Sequence, residues 1–524
     1  MNSNADSYER AEKSASFKRI VSWLTALFAL VLVGIYLSRP LYDPDFYWHL
    51  KTGQWIWQNM ALPHLDPFGV PPLPPPSPRT EFILTSYWLL QLILYAFYSL
   101  SGMWGIILFR WIIAGFFLLV CIRWTNVRLN SVRAVMVLGT VLLLEYYFIE
   151  RPQFISFVSF GILLVILFRF LEQRATRSLW STLVPLSLLM ILWSNMHGGF
   201  LIGQSILIYC VIAEGMKFFH GSLAPMPLRD YRILFISSVT ALGASFVNPN
   251  ALNLIKYLPI IFDSSYYVNT NNLEEFSLLA YFRETTDYAV FFYGASIALT
   301  FAALVLSEHR KNITWAGILA GTAFMGCQHM RLMPFFLVSA MLFLTKFVET
   351  ENFAVKGRLI LYSMLAVTTV YCVRDEFPRI FEATRSGLVP VQQFPVKAAD
   401  FIASNNINGN IYTNMLWGGY MIWRAGPENK IFYDGRSLSI QRAQEYDQSR
   451  IIALNQRSYW KGLFDEYNIR VAVLPIYEVD GTPDLLTQSI YSDKEWTLVF
   501  ADERDAVFVR EVYAEQPSSL SHKN

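Results

Sequence analysis

Apolar runs separated by short polar breaks fill the first two thirds of the chain. Those long enough to cross a hydrocarbon core of ~30 Å lie at about 20–37, 84–100, 104–122, 133–148, 154–171, 179–194, 200–219, 232–247, 289–306, 313–327, 332–347 and 357–373, and predict twelve apolar helices. After about 375, glycine, asparagine and charged residues become frequent and no later run is long enough to span. Val396, Ala399 and Ile402 share one face of a helix at 395–404. Strands are expected at 409–413, 430–433 and 470–474. Helices are expected from Trp417, at 441–455 and at 459–467, and a hairpin over 495–511. Strands alternating with helices predict a small α/β domain with a parallel or mixed sheet.

Charge orients the apolar helices, because short cytoplasmic loops collect Lys and Arg. The N-terminal tail carries Arg10, Lys13, Lys18 and Arg19. The loops at 123–133, 172–178, 217–232, 307–312 and 346–358 hold thirteen basic residues, against four in those at 149–153, 195–199, 248–288 and 328–331. Twelve crossings would put 123–133 on the wrong side. The run 84–100 contains Gln91, is dotted with aromatics and is separated from the next run by Ser101-Gly102-Met103. We therefore read it as an amphipathic helix along the outer interface. About eleven spans remain, with the N-terminus cytoplasmic and the C-terminus outside. The expected division is a cytoplasmic tail at 1–19, a transmembrane module at 20–374 with an outer loop at 38–103, and an extracytoplasmic domain at 375–524.

Composition agrees with a polytopic membrane protein. Of 524 residues 54% are hydrophobic and 16% charged, where soluble domains have roughly a quarter charged. The net charge of +2, with no basic patch interleaved with aromatics, gives no sign of a nucleic-acid partner. Cys121, Cys210, Cys327 and Cys372 each lie in or at the end of an apolar run, which suits buried hydrophobes rather than disulfides or a thiolate metal site. The first run is too long for a signal-peptide core and no small-residue cleavage site follows, so it is expected to remain as an anchor.

This orientation collects the unusual polar groups on the outer face. Leu41-Tyr42-Asp43-Pro44-Asp45-Phe46-Tyr47-Trp48-His49-Leu50 follows the first run directly. Acids at the mouth of a span point to water, an ion or a polar substrate. A helix over 45–59 places Asp45 and His49 one turn apart on one face. The proline-rich piece from Val70 to Pro78 is expected to be an extended, mobile arm. Further on come Glu150-Arg151-Pro152-Gln153, Asn195-Met196-His197-Gly198-Gly199 and Gln328-His329-Met330-Arg331. Guanidinium groups there suit a phosphate or pyrophosphate headgroup. Each has a structural alternative. Glu150 and Arg151 can cap spans and pair with each other, Asn195 and His197 can satisfy broken helix ends, and Arg331 can snorkel. In the tail, Asp434 and Arg436 either form a turn with a local ion pair or reach toward the membrane site. Gly418-Gly419 lacks the spacing and the Lys-Ser/Thr of a phosphate loop, and no His/Cys spacing suggests a metal site. Two acids and a histidine are also hard-cation ligands, so a divalent cation stays open for Asp43, Asp45 and His49.

The order of cytoplasmic tail, one span, acidic pair, outer helices, further spans and outer soluble domain resembles the GT-C superfamily of polyprenyl-phosphate-dependent glycosyltransferases, in which an acid after the first span lies at the active site. Asp43-Pro44-Asp45 matches that position. The chain is similar over most of its length to a group of bacterial polytopic proteins of GT-C type. It shares with them Asp-x-Asp-x-x-Trp-His-Leu, Leu-Pro-x-x-Asp-Pro-Phe (Leu62 to Phe68), Trp193-x-Asn195-x-His197-Gly198-Gly199, Trp417-Gly418-Gly419-Tyr420 and Asp434-Gly435-Arg436. It departs from the group in the proline run after Phe68, and from the mannosyl transferases of the superfamily in having Asp-Pro-Asp instead of Asp-Glu.

The resemblance implies a sugar donor on an undecaprenyl-type phosphate and a lipid, glycan or protein acceptor outside the cytoplasm of a bacterium, at its inner membrane. Asp43, or Asp45, would be the base, and a carboxylate partly shielded from water is a stronger base near neutral pH. Arg151, His197 and Arg331 would hold the departing phosphate, whose charge grows in the transition state. His49, Glu150 and Asn195 would help bind the acceptor or an ion. Two other readings fit the same residues: a transporter or flippase of a lipid-linked glycan with the acids as proton relay, or a non-catalytic scaffold of GT-C type. The acids lie at the surface and no internal repeat is visible, unlike the usual transporter pattern.

Overall fold

The computed structural model describes residues 2–510 apart from 74–76, 126–130, 144–150, 173–177, 221–222, 224, 254–255, 257–275, 286–288, 309–311, 348–362, 364, 368, 386, 427, 452–458 and 479. Two compact units emerge. One joins residues 1–40 to 97–251 and 271–388, and the other joins 41–96 to 252–270 and to the chain from 389 onward.

The first unit is helical. Its helices include α1 (Asn2–Leu37), and α4 (Trp88–Ser101) leads into it. α5 (Met103–Thr125), α6 (Ser131–Leu143), α7 (Gln153–Glu172), α8 (Leu179–Ser194), α9 (Phe200–Met216) and α10 (Leu228–Ala244) follow, and later come Ala289–Leu306, Ile313–Gln328 and Met333–Phe347. α7 is the central helix. Its residues from Phe154 to Phe168 are nearly all buried, and Phe157 and Phe160 both meet Phe335 edge-on. Such all-round apolarity is expected of a helix enclosed by others. Among the described residues, four stretches are long and apolar enough to cross a membrane: Arg19–Leu37, Pro78–Ser101, Met103–Ile122 and Gln153–Glu172. Leu179–Ser194, Phe200–Met216 and Val290–Leu306 are apolar but shorter. Pro78–Ser101 is not one helix. α3 (Pro78–Thr85) stops at a turn through Ser86 and Tyr87 before α4 begins. Cys121, Cys210 and Cys327 are not joined in disulfides among the described residues.

The second unit contains the expected sheet. β1 (Asn410–Thr413), β2 (Lys430–Ile431), β3 (Ile469–Pro475), β4 (Trp496–Ala501) and β5 (Asp505–Arg510) form one mixed sheet in the order β2-β1-β3-β5-β4. β1 runs parallel to β2 and β3, while β5 is antiparallel to β3 and β4. Tyr412, Phe432, Phe464, Trp460 and Trp496 fill the core on one face. Sequence periodicity missed the helix Leu485–Tyr491, which Asp484 caps by accepting the Thr487 N–H.

The same unit holds α2 (Pro44–Asn59) and the segment that follows it. Residues 68–70 extend the sheet at its β2 edge. Gly69 bridges Ile431 in parallel, with Val70 N–H donating to Ile431 O at 3.1 Å and Ile431 N–H to Phe68 O at 2.9 Å. This covers an edge that would otherwise present unpaired backbone groups. The expectation of a mobile proline arm is corrected at its start and end, residues 74–76 lying outside the described residues. Val70 is buried, and Arg442 donates to the carbonyls of Val70 and Pro72 at 3.1 and 2.8 Å. At the far end Ser77 caps α3 and Pro78 sits in its first turn, where a missing N–H costs nothing. Backbone carbonyls freed by the prolines are thus taken up by an arginine, and proline stiffness starts a helix.

Candidate functional site

In the second unit the sequence motifs meet. Asp43 is the N-cap of α2, its carboxylate accepting the Asp45 N–H at 2.7 Å, and Pro44 takes the first helical position. Asp43 is buried, at 1% exposure. Asp45 is more accessible and accepts from Trp48 Nε1 at 3.1 Å. His49 lies one turn further along, buried against Trp48 and Tyr87, with Nδ1 at 3.0 Å from Gln91 Nε2. Gln91, the polar residue that set the run 84–100 apart, is therefore a partner of the α2 histidine.

The glycines of the tail motifs let backbone approach backbone. A Cβ on Gly419 would stand 2.3 Å from Pro44 O, and one on Gly418 would stand 2.6 Å from Asp434 Cβ. One on Gly435 would meet Asp45 Oδ1 at 2.3 Å. At Gly418 and Gly419 only glycine leaves room for the first-loop backbone, the helix Met415–Arg424 and the Asp434–Arg436 turn to pack together, while at Gly435 the Asp45 carboxylate would have to shift. Tyr420 completes the contact by stacking on Phe394 and meeting Tyr47 edge-on.

Arg436 ties this cluster. Its Nε and Nη2 bond Asp434 at 2.8 and 2.7 Å, while Nη1 and Nη2 bond Asp66 at 2.6 and 3.1 Å. All three side chains are buried or nearly so. Burial disfavours the Arg436 charge, but the fields of Asp434 and Asp66 outweigh it and raise its pKa further. The Asp434–Arg436 ion pair is local, and the turn also engages the first loop through Asp66 and Asp45. Asp66 stood in the Leu-Pro-x-x-Asp-Pro-Phe motif of the first loop, but nothing in the sequence assigned it a role.

In the first unit a second group forms at the turn between α8 and α9. Trp193 Nε1–H donates to Ser156 Oγ at 2.7 Å, and Ser156 Oγ stands 2.6 Å from His197 Nδ1. The Gly199 N–H also donates to Nδ1 at 3.0 Å. Nδ1 is thus an acceptor, and a neutral His197 carries its proton on Nε2. Burial, aided by the charge of Arg331, pushes the His197 pKa down to about 3. Arg331 lies in the short helical turn Met330–Leu332. Arg151 precedes α7 and accepts the Phe154 N–H on its carbonyl, a little over one helical turn before Ser156. Arg331 is thus near enough to His197 for its charge to act on the ring, and Arg151 precedes the helix that carries Ser156. Asn195 donates to the carbonyls of Ile191 and Val247 at 2.8 and 2.7 Å, fastening the end of α8 to the end of α10. Ser156 was not singled out in the sequence, because a serine inside an apolar run carries no motif. Glu150 lies outside the described residues. Among the described residues no group of three or more His, Cys, Asp and Glu side chains is placed to hold a metal ion.

No protein-family model matches the chain, and no curated relative does. Among solved structures it is similar to ArnT from Cupriavidus metallidurans bound to undecaprenyl phosphate, with a TM-score of 0.54 and 12% identity over 94% of this chain and 99% of that one. It is also similar to the oligosaccharyltransferase of Archaeoglobus fulgidus in the apo form, with a TM-score of 0.51 and 11% identity over 86% of this chain and 69% of that one. At such identities the likeness is one of fold. The chain has the fold of ArnT and of the archaeal oligosaccharyltransferase.

Proposed function

We propose that the chain is a membrane glycosyltransferase of GT-C type that moves a sugar from a polyprenyl-phosphate donor to a lipid, glycan or protein acceptor outside the cytoplasm. The observation that carries this reading is the meeting of Asp43-Pro44-Asp45 with Gly419, Gly435 and the Asp66–Arg436–Asp434 cluster. It gives a chain of GT-C fold a fixed acidic corner directly after its first apolar helix. The neighbours in fold add support from what they bind: undecaprenyl phosphate for ArnT, and an inhibitory peptide with a dolichol-phosphate for the archaeal oligosaccharyltransferase.

Asp43 takes the acceptor proton as the acceptor oxygen attacks the anomeric carbon, and the bond from that carbon to the phosphate oxygen breaks. Asp45, held by Trp48, orients the acceptor. Arg151 and Arg331 neutralise the departing phosphate, and His197, neutral at pH 7, donates from Nε2–H. His49, Glu150 and Asn195 help bind the acceptor or an ion. Residues 1–19 lie in the cytoplasm, 20–374 form the membrane module with about eleven spans in a bacterial inner membrane, and 375–524 lie outside. The run 84–100 lies along the outer interface, a reading supported by the burial of Gln91 against His49.

Asp43→Asn and Asp45→Asn, made singly in the full chain, test the proposal. Asparagine caps helices as well as aspartate does, so Asp43→Asn removes the charge and keeps α2. We expect Asp43→Asn to lower sugar transfer by at least about 10²-fold, read as turnover of radiolabelled polyprenyl-phosphate sugar in membranes. Unchanged turnover at an unchanged protein level would favour the transporter or scaffold reading instead.

A further inference from the structure

A cavity of about 270 Å³ opens within the first unit, among α1, α5, α6 and the helix Met333–Phe347. Its walls are almost entirely apolar. Gly115 faces open space, with no atom within 4 Å of where its Cβ would be. Toward one end Trp111 crosses to α1 and donates its indole N–H to Ser38 Oγ at 3.1 Å. The other end carries two cations. Arg133 donates Nε–H to Thr345 O at 2.9 Å, and Lys346 Nζ stands 5.1 Å from the ring centre of Phe168. Both line the cavity. Glu172 acts on Lys346 from nearby, as does Arg133, so among the described residues one positive charge remains in excess at this mouth.

We propose that this cleft seats an anionic phospholipid, with an acyl chain along Gly115 and the phosphate headgroup at Arg133 and Lys346. Lipid tails are as apolar as the cleft, so filling it gains little hydrophobic energy and does not select among lipids. Selection falls to the headgroup, and paired basic residues at the end of an apolar cleft favour an anionic one. Arg133 and Lys346 border loops that the charge bias assigns to the cytoplasm, so the lipid comes from the inner leaflet. The sugar donor of the proposed reaction is needed at the opposite face. The site is therefore separate from that reaction and does not depend on it.

The test uses the full chain, purified in mild detergent, stripped of lipid, and titrated with phosphatidylglycerol, phosphatidylethanolamine or undecaprenyl phosphate under native mass spectrometry. One phosphatidylglycerol adduct per chain is expected at concentrations where phosphatidylethanolamine gives none. Arg133→Gln and Lys346→Gln should each weaken it about fivefold, and Gly115→Leu, which fills the cleft, should remove it. If Gly115→Leu fails to fold, the two charge variants carry the test. Equal retention by both charge variants overturns the proposal. So does equal binding of phosphatidylethanolamine, or an undecaprenyl phosphate adduct that the same variants abolish. No sugar donor or turnover enters the measurement, so its failure is distinguishable from failure of the glycosyl-transfer reading.

Discussion

Arg436 holds two carboxylates that would otherwise be buried without a counter-charge. Replacing it by methionine keeps the bulk and strands both acids, which costs about 3–5 kcal/mol. The expected result is a large drop in the unfolding midpoint of the purified protein, or loss of the folded protein altogether. Gly435→Ala acts differently. The added methyl meets Asp45 Oδ1, so transfer should fall roughly tenfold or more while the unfolding midpoint stays near that of the parent. His197 gives a pH signature. An unfolded imidazole titrates near 6.5, whereas the folded protein holds His197 down to about 3. The unfolded chain therefore takes up a proton first as the pH falls. The stability from this site is complete above about pH 6.5 and drains away toward pH 3. His197→Gln should unfold with a shallower acid dependence than the parent between pH 7 and 4. At this scale the sequence made the local half of each contact legible. The Asp434–Arg436 pair lies within one turn and was readable, while Asp66 stands 370 residues from Arg436. No spacing rule connects residues so far apart.

Elements were more legible than their contacts. Asp43 before Pro44 is a strong helix start, and α2 begins where that signal stands. The strands of the tail also lie where alternation put them, although β2 extends over two residues only. The seven residues of Leu485–Tyr491 are too few for a helical period to stand out, and the Asp484 cap was the only cue. The proline run misled for a physical reason: proline forbids a helix but does not forbid anchoring, and Arg442 supplies the donors its carbonyls need. One close approach between elements is at Gly419, where a side chain would press on Pro44 O. Gly419→Val should separate α2 from the helix Met415–Arg424 and cost about 1–3 kcal/mol, seen as a lower unfolding midpoint together with reduced transfer.

For the whole molecule, the charge bias of the loops makes the sharpest prediction. A phosphatase that is active only outside the cytoplasm should be active when fused after residue 374 and silent when fused after residue 19. The reverse pattern would put the acidic corner on the wrong side for an outer-leaflet donor. The sheet at the far end of the chain adds a constraint of its own. Its outermost strand, residues 68–70, leaves the ribosome long before the strands it joins. That segment must wait, unmated, while hundreds of residues are threaded into the bilayer. The tail cannot reach its native form until the loop made first is delivered to it, so a protein whose membrane insertion went astray would betray itself by an unfinished tail, open to proteases.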